Sequence, residues 1–343
     1  MTNELTAAPG SQLAAAGLAA NIAAGATAFA DYHSRKAANT LRRQQADLAL
    51  FAEYLAQQGL ATDANRLYST PAAWAGLTWG LVDGFVKWQL ASGYAVGSVN
   101  VRLSTVKTYS RLAAKAGTVA AADLVLIQAV KGYSGRESKE VDAKRLASGR
   151  PRRLAGSKRA EPTVLSDAEA ARLQQQPDTP QGRRDRLIVC LMLEQGLRVG
   201  EVAGLRAEAF DLAHRRLTFY RPKVDKIQTH KLTPATFAAA RSYIGADVPE
   251  VGALIWASNK TGSLTAPGLS ATNISLTITR LGAAIGLDQL SAHDLRHTWA
   301  TRAAMAGTPI DRLQQAGGWS NPVTPLSRYV GPAEIANEGV KLK

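Results

Sequence analysis

The sequence SAHDLRHTWATRAAMAGTPIDRLQQAGGWSNPVTPLSRYV, residues 291–330, carries the signals that decide the fold of the C-terminal part of the chain. Ser291 is a good N-cap, and Asp294 completes a short capping-box variant, so we predict a helix that begins directly after Ser291. Gly307 ends that helix, and the Thr-Pro pair after it starts a second one, which stops at Gly317–Gly318. An Asn-Pro pair then opens a third helix.

Four side chains on these three helices indicate a chemical site. His293 and Arg296 share a face of the first helix with His297. Trp319 follows the second helix, and Tyr329 lies on the third. Each has a structural alternative, such as a packing indole or a surface phenol. The sharp turns nevertheless bring an imidazole, a guanidinium, an indole and a phenol toward one place, and that set suits a phosphodiester.

A second motif, EQGLRVGEVAGL, occupies residues 194–205. The apolar run before it predicts a buried helix that Gly196 stops, and Arg198 lies in the turn before the next helix. An arginine at that place can project its fork beside a helix N-terminus, which is a natural anion site. Glu201 follows one turn later, where it can hold the arginine in position. A purely structural ion pair is the alternative.

Together these motifs resemble the tyrosine recombinase (phage integrase) family, and the layout resembles its two-domain, Cre-like members. The resemblance covers about residues 35–335, and its specific motifs lie after about Glu161. Trp319 and Tyr329 are ten residues apart, where nine is commoner in the family. The positions that match the family in order and spacing are Arg198, Glu201, His293, Arg296, Trp319 and Tyr329.

The family also uses a lysine on a β-hairpin, and FYRPKVDKIQTHKLTP, residues 219–234, supplies candidates. Lys223 lies at the usual distance after Arg198, so the resemblance favours it as the catalytic lysine. Lys226 is the alternative, because a hairpin turn of unknown length separates the two lysines.

The resemblance implies a reaction for these residues. Arg198 and Arg296, which stay protonated, hold the non-bridging oxygens of a DNA phosphate, with Trp319 as an additional donor. Tyr329 attacks phosphorus to form a 3′-phosphotyrosyl link, and Lys223 protonates the 5′-oxygen that leaves. Because one phosphoester replaces another, we expect no ATP, metal ion or other cofactor.

Other phosphate chemistries fit the residues less well. The chain has no Walker phosphate loop and no Gly-Lys dipeptide. A metal nuclease needs convergent carboxylates, whereas the candidate site is nearly all cationic. His293 and His297 are four apart, as in zinc-binding helices, but the intervening glutamate is absent, so we expect no zinc site.

Composition points to a polyanionic partner. The 343 residues include 41 Lys and Arg against 27 Asp and Glu, a net charge of +14. Such an excess favours nucleic acid, because neutralising phosphates releases condensed counterions, although a merely basic soluble protein is the alternative. The single cysteine, Cys190, lies in an apolar run and is expected to be a buried thiol. No apolar run of ~18 residues and no secretion signal is apparent, which favours a cytoplasmic protein without a membrane segment.

The periodicities predict a mainly α-helical protein with a small antiparallel β-sheet in its C-terminal domain. Residues 1–30 are expected to be a flexible, Ala-rich tail, with a weak helix as the alternative, and residues 31–131 a helical domain that binds DNA. Residues 132–161 are expected to be a basic interdomain linker, and residues 162–343 a catalytic domain with a C-terminal tail. The helices expected in the N-terminal domain span about residues 34–58, 77–91, 96–116 and 121–131.

Cations on the third of those helices and in the linker are expected to contact DNA phosphates. On the helix they alternate with apolar residues, so that one face packs while another carries charge, although a solvated face is the alternative. Trp74, Trp79 and Trp88 are expected to be core anchors rather than base-stacking platforms. The candidate DNA contacts are Arg102, Lys107, Arg111, Lys115, Arg150, Arg152, Arg153, Lys158 and Arg159.

The resemblance therefore implies a site-specific recombinase that acts on double-stranded DNA with paired recognition sites. It also implies a homotetramer on two sites, which exchanges one pair of strands at a time through a Holliday junction. Two alternatives remain: a type IB topoisomerase, which uses similar chemistry as a monomer, and a catalytically silent DNA-binding regulator.

Overall fold

The structure of the protein is a computed structural model, in which residues 9–149 and 162–323 are described. The chain divides into two compact units, Met1–Lys158 and Arg159–Lys343. The division lies inside the segment that we predicted to be a linker.

The first unit is α-helical in its described part. The helices are α1 Pro9–Ser34, α2 Ala38–Gln57, α3 Ala64–Ser69, α4 Trp79–Ala91, α5 Val96–Lys115, α6 Ala121–Ala129 and α7 Gly135–Ala147. The predicted helices correspond to α2, α4, α5 and α6, and a short 3-10 helix, Pro71–Trp74, precedes α4.

The core of this unit forms around α5, whose buried apolar residues recur at helical spacing. Trp74 is 1% exposed and is a core anchor, as predicted. Trp88 is half-buried, with its ring centre 6.1 Å from that of Phe85. Trp79 does not fit the prediction, because it opens α4 at the edge of the core and is 50% exposed.

Of the two possibilities for the N-terminal segment, a flexible tail or a weak helix, the structure has a helix, because residues 9–34 form α1. Alanine-rich sequence has high helix propensity, and the C-terminal half of α1 also packs. Phe29 is buried, with its ring centre 5.7 Å from that of Tyr109 on α5. Gly25 permits the close approach, since a Cβ there would lie 2.6 Å from the carbonyl oxygen of Lys115.

The N-terminal half of α1 leaves apolar side chains in solvent, including Leu13 at 77% and Leu18 at 63% exposure. By length and composition, the segment Gln12–Ser34 could cross a membrane, with a mean hydropathy of 1.5 over 18 residues. Our expectation that no run approached that length was therefore wrong. The burial of Phe29 in the core shows that part of this helix belongs to the folded unit.

The predicted linker also differs from expectation, because α7 occupies part of it. The backbone N–H of Ser134 donates to Glu137 Oε2 at 2.7 Å, and the N–H of Glu137 donates to Ser134 Oγ at 3.3 Å. This capping box starts a helix in a segment whose composition alone indicated a tether. Arg145 then fastens the helix by donating to the carbonyl oxygen of Leu90 at 2.6 Å.

In its described part, the second unit combines helices with two small sheets. The helices are α8 Asp167–Gln174, α9 Pro180–Leu193, α10 Val199–Ala203, α11 Pro234–Tyr243, α12 Ala271–Ala283, α13 Ala292–Met305 and α14 Ile310–Gly317. The strands are β1 Phe210–Asp211, β2 Arg216–Arg221, β3 Lys226–Lys231, β4 Trp256–Ser258 and β5 Leu264–Pro267.

Both sheets are antiparallel, with strand orders β1-β2-β3 and β4-β5. The predicted hairpin is β2–β3, whose register pairs Arg216 with Lys231 and Arg221 with Lys226. The β4–β5 pair was not predicted, because its strands are short. The predicted fold class, mainly α with a small antiparallel sheet in the C-terminal unit, is confirmed.

Helix α9 forms the centre of the second core, with every residue from Leu187 to Leu193 buried. Cys190 lies among them, and burial raises the pKa of its thiol to about 12, as expected for an unreactive structural cysteine.

Capping fixes where the site helices begin. Ser291 and Asp294 form a complete capping box at the start of α13, as the sequence predicted. Asp294 also accepts a hydrogen bond from the backbone N–H of Thr163 at 3.1 Å, and Thr298 Oγ1 accepts one from Leu165 at 3.0 Å. These bonds tie α13, which carries His293 and Arg296, to the start of the unit.

Candidate active site

Arg198 lies at the N-terminus of α10, where the sequence predicted an anion site. Its Nη1 donates to Glu201 Oε1 at 2.8 Å, and its backbone N–H donates to Glu201 Oε2 at the same distance. The expected contact between these two residues is therefore present. Arg198 Nη2 also donates to the carbonyl oxygen of Gly318 at 2.8 Å, which links α10 to the end of α14.

Arg296 reaches the same place from α13. It is 3% exposed, and its guanidinium donates to the carbonyl oxygens of Gly196 and Gly317. The two arginines of the sequence motifs thus converge on adjacent carbonyl groups at the C-terminal end of α14. His293, one turn before Arg296, is exposed, whereas His297 is buried. The pair at zinc-ligand spacing is therefore divided between surface and interior.

A glycine pair sets the position of Trp319. Gly318 has φ 60°, the left-handed conformation that ends α14, and a Cβ at Gly317 would overlap the Trp319 indole. The indole lies at a ring-centre distance of 6.1 Å from Trp299, with the planes 23° apart. The Arg296 guanidinium carbon lies 4.7 Å from the centre of the Trp319 ring, a cation–π distance.

Arg221, at the end of β2, is a residue that the sequence reasoning missed. Its side chain is fully buried and donates to both carboxylate oxygens of Glu201, at 3.0 and 3.2 Å. It also donates to the carbonyl oxygens of Ala316 at 2.7 Å and Gly317 at 3.2 Å. Nothing near Arg221 in sequence signals these partners, although its place before the candidate lysines could have drawn attention to it.

The two candidate lysines lie where the hairpin prediction put them. Lys223 lies in the turn between β2 and β3, Lys226 is the first residue of β3, and both are exposed. Both line a cavity of about 620 Å³ together with Trp319 and the end of α14. The structure thus brings either lysine to the side of the site that holds the indole. Tyr329, and the helix predicted to carry it, lie outside the described residues.

Fixed positive charge dominates this site. Arg198 and Arg221 share one carboxylate, that of Glu201, and Arg296 donates to the Gly317 carbonyl oxygen that Arg221 also contacts, so the cluster is net cationic. Burial, followed by repulsion from Arg221, lowers the pKa of His230 on β3 to about 4, so this imidazole is neutral at pH 7. Burial also lowers the pKa of Arg221 to about 10, which leaves it charged at neutral pH.

This donor set does not suit a metal ion. Glu201 is the acidic side chain at the centre, and hydrogen bonds from two arginines already occupy both of its oxygens. Within residues 9–149 and 162–323, no group of three His, Cys, Asp or Glu side chains forms a candidate metal site.

The predicted DNA contacts of the first unit have different environments. Lys107 requires correction: its ammonium donates to the carbonyl oxygens of Gln128 at 2.8 Å and Val130, and burial lowers its pKa. It therefore caps the end of α6 instead of facing solvent. Arg102 is half-buried over the Tyr94 ring, at 4.4 Å from its centre. Arg111 and Lys115 are exposed. The linker candidates lie outside the described residues; they are Arg150, Arg152, Arg153, Lys158 and Arg159.

Solved structures with the same fold include lambda integrase, residues 75–356, as a dimer bound to a COC′ core site. It aligns with a TM-score of 0.59 and 15% identity over 92% of this chain and 95% of that chain. The Tn1549 transposon integrase in complex with a circular intermediate DNA aligns with a TM-score of 0.54 and 14% identity, covering 82% of this chain and 94% of that one. These likenesses establish the two-domain recombinase fold.

Sequence relatives agree with the fold. Tyrosine recombinase XerC of Mycobacterium sp. (strain KMS) is 26% identical over 298 residues, which cover 81% of this chain and 91% of that protein. Tyrosine recombinase XerA of Thermococcus kodakarensis is 28% identical over 198 residues, which cover 57% of this chain and 66% of that protein.

The sequence profile of the phage integrase family matches residues 163–334, which is half of the chain and includes every proposed catalytic position. The chain therefore belongs to the phage integrase family and is a tyrosine recombinase.

Proposed function

We propose that this protein is a site-specific DNA recombinase that cuts and rejoins DNA strands through a covalent bond to Tyr329. The observation that carries the proposal is the convergence of Arg198, Arg296 and Trp319 at the C-terminal end of α14, in a member of the phage integrase family. Family membership supports recombination, and the roles of the individual residues are part of the proposal.

The cationic cluster suits the transition state of phosphoryl transfer. A phosphodiester under attack gains charge on its non-bridging oxygens, and preorganised donors that neutralise that charge lower the barrier. Arg198 and Arg296 supply permanently charged, planar forks for those oxygens. His293, exposed one turn before Arg296, and the Trp319 indole complete the proposed set of donors.

Tyr329 is the proposed nucleophile. A phenol has a pKa near ~10, so it attacks well only where cations favour the phenolate. Its oxygen forms a bond to phosphorus while the bond from phosphorus to the 5′-oxygen breaks. The products are a 3′-phosphotyrosyl strand and a free 5′-hydroxyl. A 5′-hydroxyl of another strand can then attack the phosphotyrosyl bond, which reverses the step and joins the two strands.

The leaving 5′-oxygen needs a proton, and Lys223 is the proposed general acid, with Lys226 as the alternative. Both line the cavity beside Trp319, so either can approach a phosphate held by the arginines. The phenolic proton released from Tyr329 is proposed to pass to His293 or to water. Charge and protons then balance without a cofactor, so we propose that neither ATP nor metal is consumed.

The proposed partner is double-stranded DNA with paired recognition sites, and the net charge of +14 supports it. In the first unit, the exposed Arg111 and Lys115 on α5 are the described candidates for phosphate contact. We propose a homotetramer on two sites that exchanges strands through a Holliday junction, and a cytoplasmic location.

A covalent trap tests this function. The recognition site is first recovered by sequencing DNA selected on the purified protein, and a nicked suicide duplex is built from it. The wild type should give a protease-sensitive adduct on the 3′-phosphate end of the broken strand without added nucleotide or metal, and Tyr329→Phe should give none. An adduct that persists in Tyr329→Phe contradicts the assignment.

Plasmid assays separate the alternatives. Recombination between two cloned sites, with little relaxation of supercoiled plasmid that lacks a site, supports the recombinase. Rapid relaxation of site-free plasmid would indicate a type IB topoisomerase. Tight binding with no covalent adduct would indicate a silent regulator.

A further inference from the structure

We propose that Arg221 is a positioning residue for strand cleavage: it holds the hairpin that carries Lys223 and Lys226 at a fixed place beside the phosphate-binding arginines. The inference rests on the proposed function, and it adds a residue that the family motifs do not include.

The first support is the number and direction of its hydrogen bonds. Nε donates to Gln228 Oε1 at 2.5 Å, and Nη1 donates to Glu201 and to the carbonyl oxygen of Gly317. Nη2 donates to the carbonyl oxygen of Ala316. One fully buried guanidinium thus bonds to three separate elements: β3, α10 and the end of α14.

The second support is the position of Arg221 next to the hairpin turn. Arg221 is the last residue of β2, opposite Lys226 in the register, and Lys223 follows two residues later. Gln228 repeats the attachment on the other strand, because its Nε2 donates to the carbonyl oxygen of Gln315 at 2.8 Å. Both strands of the hairpin are therefore fastened to α14 close to the turn that carries the candidate general acid.

The third support is electrostatic. The last carbonyl groups of a helix lack intrahelical partners and carry partial negative charge, so a cation there satisfies them. Glu201 compensates the buried charge of Arg221, and the same carboxylate holds Arg198. A displacement of Arg221 would therefore move both Arg198 and the hairpin that carries the lysines.

An arginine is required at this place because its planar fork donates in several fixed directions at once. A lysine has one nitrogen with three donors and cannot reach Gln228, Glu201 and Ala316 together. Arg221→Lys would keep the positive charge but lose the hydrogen bonds in several directions. Arg221→Met would keep most of the side-chain volume but lose both the charge and the hydrogen bonds.

The chemistry of the leaving group distinguishes positioning from a general structural role. A 5′-hydroxyl needs a proton from an acid as it leaves, whereas a 5′-thiol, with a pKa near ~8.5, leaves as the thiolate. A suicide duplex with sulfur at the bridging 5′ position therefore bypasses the lysine. Adduct formation is measured on the ordinary and the sulfur-bridged duplex.

We expect Arg221→Met to slow adduct formation on the ordinary duplex by roughly 100-fold, since a misplaced general acid loses most of its effect. On the sulfur-bridged duplex the loss should be less than about fivefold, because Arg198 and Arg296 still hold the phosphate. Arg221→Lys should lie between the wild type and Arg221→Met on the ordinary duplex.

Two further variants keep the test decisive. Arg184→Met removes another buried arginine of the same unit, one that is bonded to Asp185 and to the Trp256 carbonyl, and it should slow both duplexes equally if it slows either. Gln228→Leu removes only the hydrogen bonds that β3 makes to Arg221 and to the Gln315 carbonyl oxygen. It replaces Arg221→Met in the test if that variant does not fold. It should slow the ordinary duplex about tenfold more than the sulfur-bridged one, as expected for partial loss of the acid.

Equal slowing of both duplexes by Arg221→Met and Gln228→Leu would overturn the inference and leave Arg221 a structural residue. A wild type that forms no adduct on either duplex would instead overturn the proposed function, and with it the inference. The two failures are thus distinguishable.

Discussion

The Arg296 guanidinium lies over the Trp319 ring, with 4.7 Å between the guanidinium carbon and the ring centre, and the Trp299 ring stacks against the same indole. Trp319 thus has two roles that a substitution can separate. Its ring supports Arg296, and its indole N–H is the proposed donor to the phosphate.

Trp319→Phe keeps an aromatic face for Arg296 but removes the donor. We expect adduct formation to fall by roughly 100-fold, which is typical of one lost transition-state hydrogen bond. Trp319→Ala should be slower still, because Arg296 also loses its aromatic neighbour. Equal rates for Trp319→Phe and the wild type would show that the N–H is not used.

Glu201 is predicted to be essential for stability as well as for the site. Its side chain is 4% exposed and compensates both Arg198 and Arg221. Glu201→Gln leaves buried cations uncompensated, so the free energy of unfolding should fall by about 3 kcal/mol in urea titrations.

The matched control is Asp311→Asn, which breaks the surface pair of Asp311 and Arg312, both more than 70% exposed in their side chains. Exposed pairs contribute little, so this change should be much smaller. Comparable losses in the two variants would contradict the importance of Glu201.

Much of this site follows from local sequence signals, and the remainder depends on contacts that are distant in sequence. The capping box at Ser291 and the turn glycine Gly318 fixed the helix ends, because their partners lie within a few residues. Arg221 gave no such signal, since its partners Glu201 and Ala316 are 20 and 95 residues away.

The errors in the N-terminal unit have a similar cause. The charge pattern on α5 gave no sign that Lys107 would cap α6, whose end lies more than 20 residues later. Helix α1 looked like a tail because its sequence is rich in alanine, and its burial depends on Tyr109, 80 residues after Phe29.

Gly318 should be intolerant of alanine for two reasons. Its φ of 60° strains any side chain, and a Cβ would lie 2.7 Å from Arg221 Cδ. Gly318→Ala should lower the free energy of unfolding by about 2 kcal/mol and should slow adduct formation, because Arg221 must move.

Gly307→Ala is the control for backbone strain alone, since Gly307 has φ 78° but no atom within 4 Å of the place that a Cβ would occupy. Its cost should be about 1 kcal/mol, with adduct formation unchanged. Urea titration and the suicide duplex measure the two effects separately, and an equal loss of activity in both glycine variants would argue against the contact with Arg221.

His230 predicts how stability depends on pH. Its pKa falls from the ordinary value of 6.5 to about 4 in the folded protein. Between these values the unfolded chain binds a proton that the native imidazole rejects, so the free energy of unfolding should decrease as pH is lowered from 6.5 to 4. Allowing for partial exposure, this contribution is about 2 kcal/mol.

His230→Gln cannot titrate, so its free energy of unfolding should fall less steeply than that of the wild type over the same interval. Urea titrations at several pH values between 4 and 7 measure the two slopes. Identical slopes would mean that the His230 imidazole takes up its proton at the same pH in the folded and unfolded protein.

The two hairpin lysines differ in place, and that difference predicts which one is the acid. Lys226 is held within the β2–β3 register opposite Arg221, whereas Lys223 lies in the turn that follows the anchored strand. Lys223→Ala should slow adduct formation on the ordinary duplex by at least about 100-fold, the usual contribution of a general acid, and the sulfur-bridged duplex should restore it. Lys226→Ala should change either rate only a few-fold, since it removes surface charge near the DNA. The opposite pattern, with rescue by sulfur confined to Lys226→Ala, would assign the proton to Lys226 and place the turn of the hairpin away from the leaving oxygen.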